Sequence, residues 1–270
     1  MIDRRTLLTA AAALPLAACA DRYVSRATPG TLKVVTFNIW HDAGDWATRR
    51  GLIVDALRGI DADVIALQEI LQDSKKNLPN QADTLGEALE GYSVHFMSTS
   101  PEGSASRYGN AILSRLPVID IATKKLEPLN DYRTAIRARV DVGGRPVDIA
   151  NTHLAHQADA GPVRTRQIKD MLGWLPKDGT PLVALGDFNA PLTEASLAPL
   201  GERGLQTALP PGAATTTLVT SRGHSARVID HIFYERDHFA VTDARTFADQ
   251  PVNGEYPSDH YGVAATLTLT

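Results

Sequence analysis

Only one cysteine, Cys19, occurs among the 270 residues, so no disulfide can brace a single chain. Stability must then come from core burial, even in an oxidising compartment. Charge of one sign is also missing as a block. The 27 Lys and Arg face 31 Asp and Glu for a net charge of -4, which gives no global attraction to a polyanion. Local basic patches remain at Lys75-Lys76, Lys124-Lys125 and Arg133/Arg137/Arg139. The dense basic and aromatic interleaving expected of a strand-binding protein is absent, as is any long aromatic hairpin between Ala240 and Asp259 that would penetrate a membrane. No Gly-x-Gly-x-x-Gly turn follows the first predicted strand and no Walker-type loop is present, which argues against a dinucleotide fold. There is no low-complexity tract and no evident repeat. What remains, 43% hydrophobic and 21% charged residues, suits one packed globular enzyme domain.

The N-terminus reads as an export signal. Arg4-Arg5 and the apolar run from Leu7 to Ala18 have the charged and apolar regions of a signal peptide, and the run is too short to span a bilayer comfortably. The arginine pair resembles a twin-arginine signal. Leu16-Ala17-Ala18-Cys19 looks like a bacterial lipobox, in which Cys19 becomes the lipid-modified new N-terminus. The expected organisation is therefore a signal over 1–18, a lipidated tether over 19–30 and a catalytic domain over 31–270. Such a chain would be exported and anchored in the bacterial cell envelope, on the periplasmic or outer face, through lipid on Cys19.

Periodicity predicts strands at 32–38, 63–69, 92–97, 108–115, 118–122, 134–142, 145–152, 181–185, 228–234, 240–247 and 262–269. Helices are predicted at 46–57, with Asp45 as cap, and at 82–90, 162–175 and 194–200. Gly143-Gly144 marks a hairpin. Hairpins join antiparallel strands and helical crossovers join parallel ones, so the mixture points to a layered α/β protein (α+β by some schemes) with mixed sheets.

Several apolar runs stop at, or are broken by, an acid, amide or histidine, and a strand reading gathers these groups on one rim. Asp187 and Asn189 flank Phe188 and would share a face, able to orient water and hydrogen-bond a substrate oxygen; a simple Asx turn is the plain alternative. Glu69, expected to end a very apolar strand, is costly there unless paired or bound to a hard cation such as Mg²⁺, with Asn38 supporting the ion or the substrate. His153 and His260 are the candidates for proton transfer, and Asp230 could hold one imidazole in its useful tautomer. His231 should face the other side of its strand and pack. His41, His95, His156, His224 and His238 read as loop or surface residues.

The segments Thr36-Phe37-Asn38-Ile39-Trp40, Leu67-Gln68-Glu69, Tyr108-Gly109-Asn110-Ala111-Ile112-Leu113-Ser114-Arg115, Asn151-Thr152-His153-Leu154, Gly186-Asp187-Phe188-Asn189, Ile229-Asp230-His231-Ile232-Phe233 and Ser258-Asp259-His260-Tyr261-Gly262-Val263 together resemble the ordered motifs of the endonuclease/exonuclease/phosphatase superfamily. They cover nearly the whole chain after the leader. The resemblance implies a four-layer sandwich of two mixed β-sheets flanked by helices, with the site at one edge of the sheets. It implies that Glu69, helped by Asn38, binds Mg²⁺ or Mn²⁺, that Asp187 and Asn189 position water and phosphate, and that Asp230 orients His260. His153 matches the second histidine of sphingomyelinase-like and secreted deoxyribonuclease-like members, and Asp259 would help bind the ion or orient its neighbours. Arg133 and Arg164 are candidate phosphate contacts.

The expected activity is metal-dependent hydrolysis of a phosphoester by water attack, as a phosphodiesterase or phosphatase acting as a monomer. Two alternatives stay open: an extracellular nuclease, which the charge does not favour, and a binding lipoprotein without catalysis.

Overall fold

The computed structural model describes residues 30–270. The expected signal over 1–18, Cys19 and the expected tether as far as Pro29 lie outside the described residues.

In chain order the elements are β1 (Thr31–Asn38), α1 (Trp46–Ile60), β2 (Val64–Asp73), α2 (Gln81–Leu89), β3 (Ser93–Ser98), β4 (Ser106–Ser114), β5 (Val118–Lys125), β6 (Thr134–Asp141), β7 (Pro146–His153), α3 (Gly161–Trp174), β8 (Leu182–Asp187), α4 (Ala198–Glu202), β9 (Leu205–Thr207), β10 (Asp230–Glu235), β11 (Phe239–Phe247) and β12 (Gly262–Leu269). They form two six-stranded mixed sheets, β11-β12-β1-β2-β4-β3 and β5-β6-β7-β8-β10-β9. Each sheet holds one parallel pair joined by a helix, β1 to β2 through α1 and β7 to β8 through α3. The remaining pairs are antiparallel.

Alternation along the strands builds the layers. Val34, Ala66, Ile149 and Leu185 point into one core between the sheets. Val35, Ile65 and Leu67 pack outward with Ile53 and Leu57 of α1, and Ala150 and Ala184 pack outward with Ile168 and Met171 of α3. Strands covered on both faces must be apolar at successive positions, which is why these runs read as continuous in the sequence. Four layers result: helix, sheet, sheet, helix.

A polar seam crosses the inter-sheet core near one edge. Asn151 of β7 donates to the carbonyls of Leu67 (2.9 Å) and Ala111 (2.8 Å) in the other sheet, and Gln68 donates back to Asn151 Oδ1 at 2.7 Å. Asn110 donates to Thr134 O at 3.1 Å. Buried amides need such partners, and here the partners lie across the sandwich, so the seam fixes the sheets' relative position.

The sandwich has two poles. Asn38, His153 and Asp187 end β1, β7 and β8, while Asp230 begins β10 and His260 precedes β12, and all of these reach one pole. At the other, Leu269 N donates to Gly30 O (2.7 Å) and Arg145, beside the β6–β7 turn, donates to Thr270 O (3.2 Å).

Most predicted elements are found within a few residues, with three differences. Strand β2 runs past Glu69 to Asp73, because the register with β4 shifts between Leu67 and Ile70 and Glu69 sits in that bulge at φ 61°. The helix expected at 194–200 is a 3₁₀ turn, Ala195–Leu197, followed by the short α4. Strand β9, three residues long, has too little pattern to show in the sequence.

Gly186 sits where β8 passes closest to β7. A Cβ there would lie 1.9 Å from Thr152 O, at a φ of 148° that side chains rarely adopt. Gly186→Ala is expected to destabilise the protein by about 3 kcal/mol or more, read by chemical denaturation, since backbone cannot yield as a side chain can.

Candidate active site

Register places the central groups. Asp187 of β8 is directly paired with His153 of β7 on one side and Asp230 of β10 on the other. Neighbouring strands lie about 4.8 Å apart, so three ionisable side chains stand in a row across one sheet edge. Phe188, next to Asp187, turns into the outer core against Phe233 (ring centroids 5.0 Å). Burying a phenylalanine contributes about 2 kcal/mol, and that anchor holds Asp187 and Asn189 at the rim.

Asp187 Oδ2 is the hub. It accepts from Asn38 Nδ2 of the opposite sheet at 3.1 Å and lies 3.3 Å from His153 Nε2 and 3.8 Å from His260 Nε2. Its Oδ1 accepts the Asn189 backbone N–H at 2.9 Å, so the Asx turn is present and the same carboxylate also faces both histidines. Asn189 takes φ 51°, which asparagine tolerates, and donates its side chain to Leu154 O at 3.1 Å. On the far side of His260, Nδ1 meets Asp230 Oδ2 at 2.9 Å, and Asp230 is fully buried.

These contacts separate the two imidazoles. Burial pulls the His260 pKa down, but the charge of Asp230, its hydrogen bond, and then Asp187 and Asp259 outweigh it and raise the group to about 10. His260 is an imidazolium at neutral pH. His153 is driven the other way, well below its ordinary value, by burial first and then by Arg133, His260 and His156. It is neutral, its Nε2 lies 3.3 Å from Asp187 Oδ2, and its buried Nδ1 has no hydrogen-bond partner among the described residues. Burial and then Asp230 raise the Asp187 pKa to about 7, against the pull of His260, Asn38 and the Asn189 amide.

Glu69 comes from the bulge in β2. Its left-handed backbone costs on the order of 1–3 kcal/mol and swings the carboxylate toward Asn38, whose Nδ2 donates to it at 3.2 Å. Tyr108 of β4 also hydrogen-bonds Glu69, and burial first, then Glu69, raises the phenol pKa. Asn38 Oδ1 accepts the Trp40 N–H at 3.0 Å, so its amide braces Glu69 and Asp187 at once. Asp259 faces the cleft with His224 Nε2 3.2 Å away, and Ser258 Oγ donates to Asn38 O at 2.7 Å. Among the described residues one tight group of potential metal ligands stands out, Asp187-Asp230-His260. Its facing atoms lie against one another and against Asn38, and Glu69 and Asp259 present further carboxylate oxygens on the cleft wall beside their own contacts to Asn38 and His224. Carboxylates on a polar, open cleft fit a hard divalent cation.

Glu69, His153, Asp187, Asn189, Asp259 and His260 line one cleft of about 690 Å³ together with Tyr108, Tyr132, Arg133 and Arg227, while Asn38 and Asp230 stand behind that lining and hold it. Arg133 is nearly buried, stacks over Tyr132 at 4.6 Å and donates to His156 Nδ1 at 3.1 Å; the described residues offer it no carboxylate. Arg164 is a correction. Its guanidinium is buried in α3 and saturated by Glu194, Ala155 O and Gln157 O, so it braces a loop and does not reach the cleft. His41, His156 and His224, read as incidental, lie on the cleft wall. Tyr108 and Ser258 stand in the sequence motifs without a role, because their partners depend on the Glu69 bulge and on contacts between remote segments. His231 packs as expected: buried, bonded to Ala190 O at 2.9 Å and set against Phe188 and Phe233.

Residues 35–260 match the family described as Endonuclease/Exonuclease/phosphatase. The chain belongs to that family. Within it, the chain is 25% identical to nocturnin of Drosophila melanogaster over 279 aligned residues, covering 84% of this chain and 43% of the fly protein, so it spans less than half of that relative's length. In fold it is similar to the human nocturnin catalytic domain with bound sulfate anion (TM-score 0.72, 23% identity, 90% of this chain and 94% of that one). It is likewise similar to a Bacteroides thetaiotaomicron mannosyl-6-phosphatase (TM-score 0.70, 19% identity, 88% and 99%). The endonuclease/exonuclease/phosphatase sandwich and the two mixed sheets of this chain are the same architecture.

Proposed function

We propose that this protein is a divalent-metal-dependent hydrolase of phosphoester bonds, a phosphodiesterase or phosphatase working by direct attack of water. The observation that carries the reading is the split between the imidazoles: one charged between two carboxylates, one neutral, both against Asp187 and beside Glu69. Pairs of titratable groups pushed apart by their surroundings mark acid and base roles.

Asp187 is the proton acceptor for the attacking water, and its raised pKa matches that task near neutral pH. His260, held by Asp230, donates a hydrogen bond and positive charge to a phosphoryl oxygen. His153 holds Asp187 in place through Nε2. Asn189 supplies neutral hydrogen bonding, and Arg133 supplies a fixed positive charge on the cleft wall. Glu69, braced by Asn38 and Tyr108, would hold Mg²⁺ or Mn²⁺ together with Asp259. The ion, when bound, neutralises phosphate charge and stabilises the leaving oxygen. In the cell the enzyme would sit in the envelope, lipid-anchored at Cys19, as the signal pattern and Leu16-Ala17-Ala18-Cys19 support.

The test is a metal-dependent screen of the form starting at Ala20, using bis(p-nitrophenyl) phosphate, glycerophosphodiesters, sphingomyelin, inositol phosphates and plasmid DNA. Turnover of small esters, abolished by chelator and restored by Mg²⁺, is expected. Activity indifferent to chelator would end the reading, and rapid plasmid nicking with small esters inert would turn it to a nuclease.

The pH profile should follow these two shifts. Asp187 must lose its proton to accept another, so kcat/KM should rise through about pH 7; His260 must keep its proton, so activity should fall as pH passes about 10. Asp230→Asn should move the upper limb to lower pH, because the first charge holding the proton on His260 is gone. An upper limb that stays in place in this variant would remove the assignment of His260.

A further inference from the structure

Arg49 of α1 is fully buried, yet its guanidinium hydrogen-bonds no carboxylate. It donates to five backbone carbonyls: Ile39 (2.8 Å), Trp40 (3.1 Å), His41 (2.8 Å), Ala43 (2.7 and 3.0 Å) and Pro257 (2.9 Å). Four of these belong to the turn that leaves β1 directly after Asn38. The fifth precedes Ser258, Asp259 and His260. Burial lowers the Arg49 pKa to about 10, with Asp259 the largest opposing influence, so the group stays charged at neutral pH.

Carbonyls from one turn converge on a single cation only if the backbone is bent inward. Trp40 and His41 hold φ of 57° and 30°, and non-glycine residues in the left-handed region cost energy that something else must offset. The five N–H groups of the planar fork, one of them shared between two carbonyls, do so with charge-assisted hydrogen bonds. Arg49 (5.0 Å) and Arg222 (4.6 Å) both lie over the Trp40 ring, and Arg222 pairs with Glu255 on the segment that leads to Pro257. Ser258 Oγ closes the arrangement with its bond to Asn38 O and accepts the His260 N–H at 3.2 Å.

We propose that Arg49 is a positioning residue for the metal-holding side of the cleft: by locking the 39–43 turn to the segment before Ser258, it sets the spacing between Asn38, which braces Glu69, and Asp259. The inference rests on the metal-dependent reading above. Arg49 is fully buried and does not line the cleft, so it acts through the backbone carbonyls it gathers. Its charge and its geometry push in opposite directions. A positive group near Asp259 repels a cation, so charge by itself would weaken metal binding, and removal of Arg49 would tighten it. The positioning role requires the reverse.

The test is direct Mg²⁺ binding by calorimetry, with Trp emission as a second signal because Trp40 and Trp46 both flank Arg49. The variants are Arg49→Lys, which keeps the charge and loses the fork, Arg49→Met, which loses both, and Ser258→Ala, which removes the neighbouring tie without entering the α1 core. Groups that orient metal ligands change affinity by about 10- to 100-fold when removed, and weakening of that size is expected in Arg49→Lys and Arg49→Met, with a smaller loss in Ser258→Ala. At saturating Mg²⁺ most of kcat should return, and the upper pH limb set by His260 should stay in place. Should both Arg49 variants fail to fold, Ser258→Ala decides: weakened binding upholds the proposal and unchanged binding overturns it. Tighter binding in Arg49→Met, or unchanged affinity in folded Arg49→Lys, removes this inference alone. Wild-type protein that takes up no Mg²⁺ removes the metal reading as well.

Discussion

Asp187→Asn is expected to lower kcat/KM by about 10³- to 10⁴-fold, at the upper end of what loss of a general base costs. Size and shape hardly change, so the effect is chemical. Oδ2 of Asp187 now accepts from Asn38 and faces Nε2 of both His153 and His260. An amide has one acceptor oxygen where the carboxylate has two, and its NH₂ would have to face either these donors or the Asn189 N–H. A buried donor against a donor is costly, and the proton acceptor is gone. The measurement is steady-state hydrolysis of bis(p-nitrophenyl) phosphate at saturating Mg²⁺, with thermal unfolding as the control for folding. Retention of more than a tenth of wild-type activity would move the proton to another residue.

The second large effect belongs to Glu69. A ligand that binds only the folded protein stabilises it by about 2.7 kcal/mol at 100 times its Kd, so Mg²⁺ should raise the wild-type melting temperature. Glu69→Ala should abolish that rise and reduce activity by about 10³-fold, because it removes a carboxylate oxygen and leaves the Asn38 amide and the Tyr108 phenol without their shared acceptor. Glu69→Gln separates the two losses. It can still accept from Asn38 and Tyr108, so stability without metal should stay near wild type while the Mg²⁺ response disappears. A full Mg²⁺ shift in Glu69→Ala would place the ion elsewhere, with the Asp187-Asp230-His260 group the next position to test.

Much of this was legible in the sequence because both faces of the central strands are buried. Runs such as Val34 to Phe37 and Leu182 to Leu185 are apolar at every position except Thr36, and a polar residue at such a strand's end stands out. Asp187 and Asp230 were found that way, as was the separation of His231, which alternation sends to the opposite face. What stayed hidden depends on register or on remote contact. Glu69 looked like the last residue of a strand, since a bulge leaves no mark in an apolar run, and Tyr108 became its partner only through that bulge. Arg164, a candidate phosphate contact by resemblance, is held instead by a bidentate Glu194 partner that is 30 residues away and carries no local signal. His156 and His224 gained meaning from Arg133 and Asp259, neighbours in space supplied by other segments.

The pairing of Gly30 with Leu269, at the pole away from Asn38 and His260, also sets how the molecule is presented. Strand β1 alone carries the chain about 26 Å from that junction to the rim, given eight residues at roughly 3.3 Å each. Gly30, the first described residue, therefore enters the fold at the pole opposite the cleft. The cleft and the point where β1 begins are thus separated by the full length of a strand.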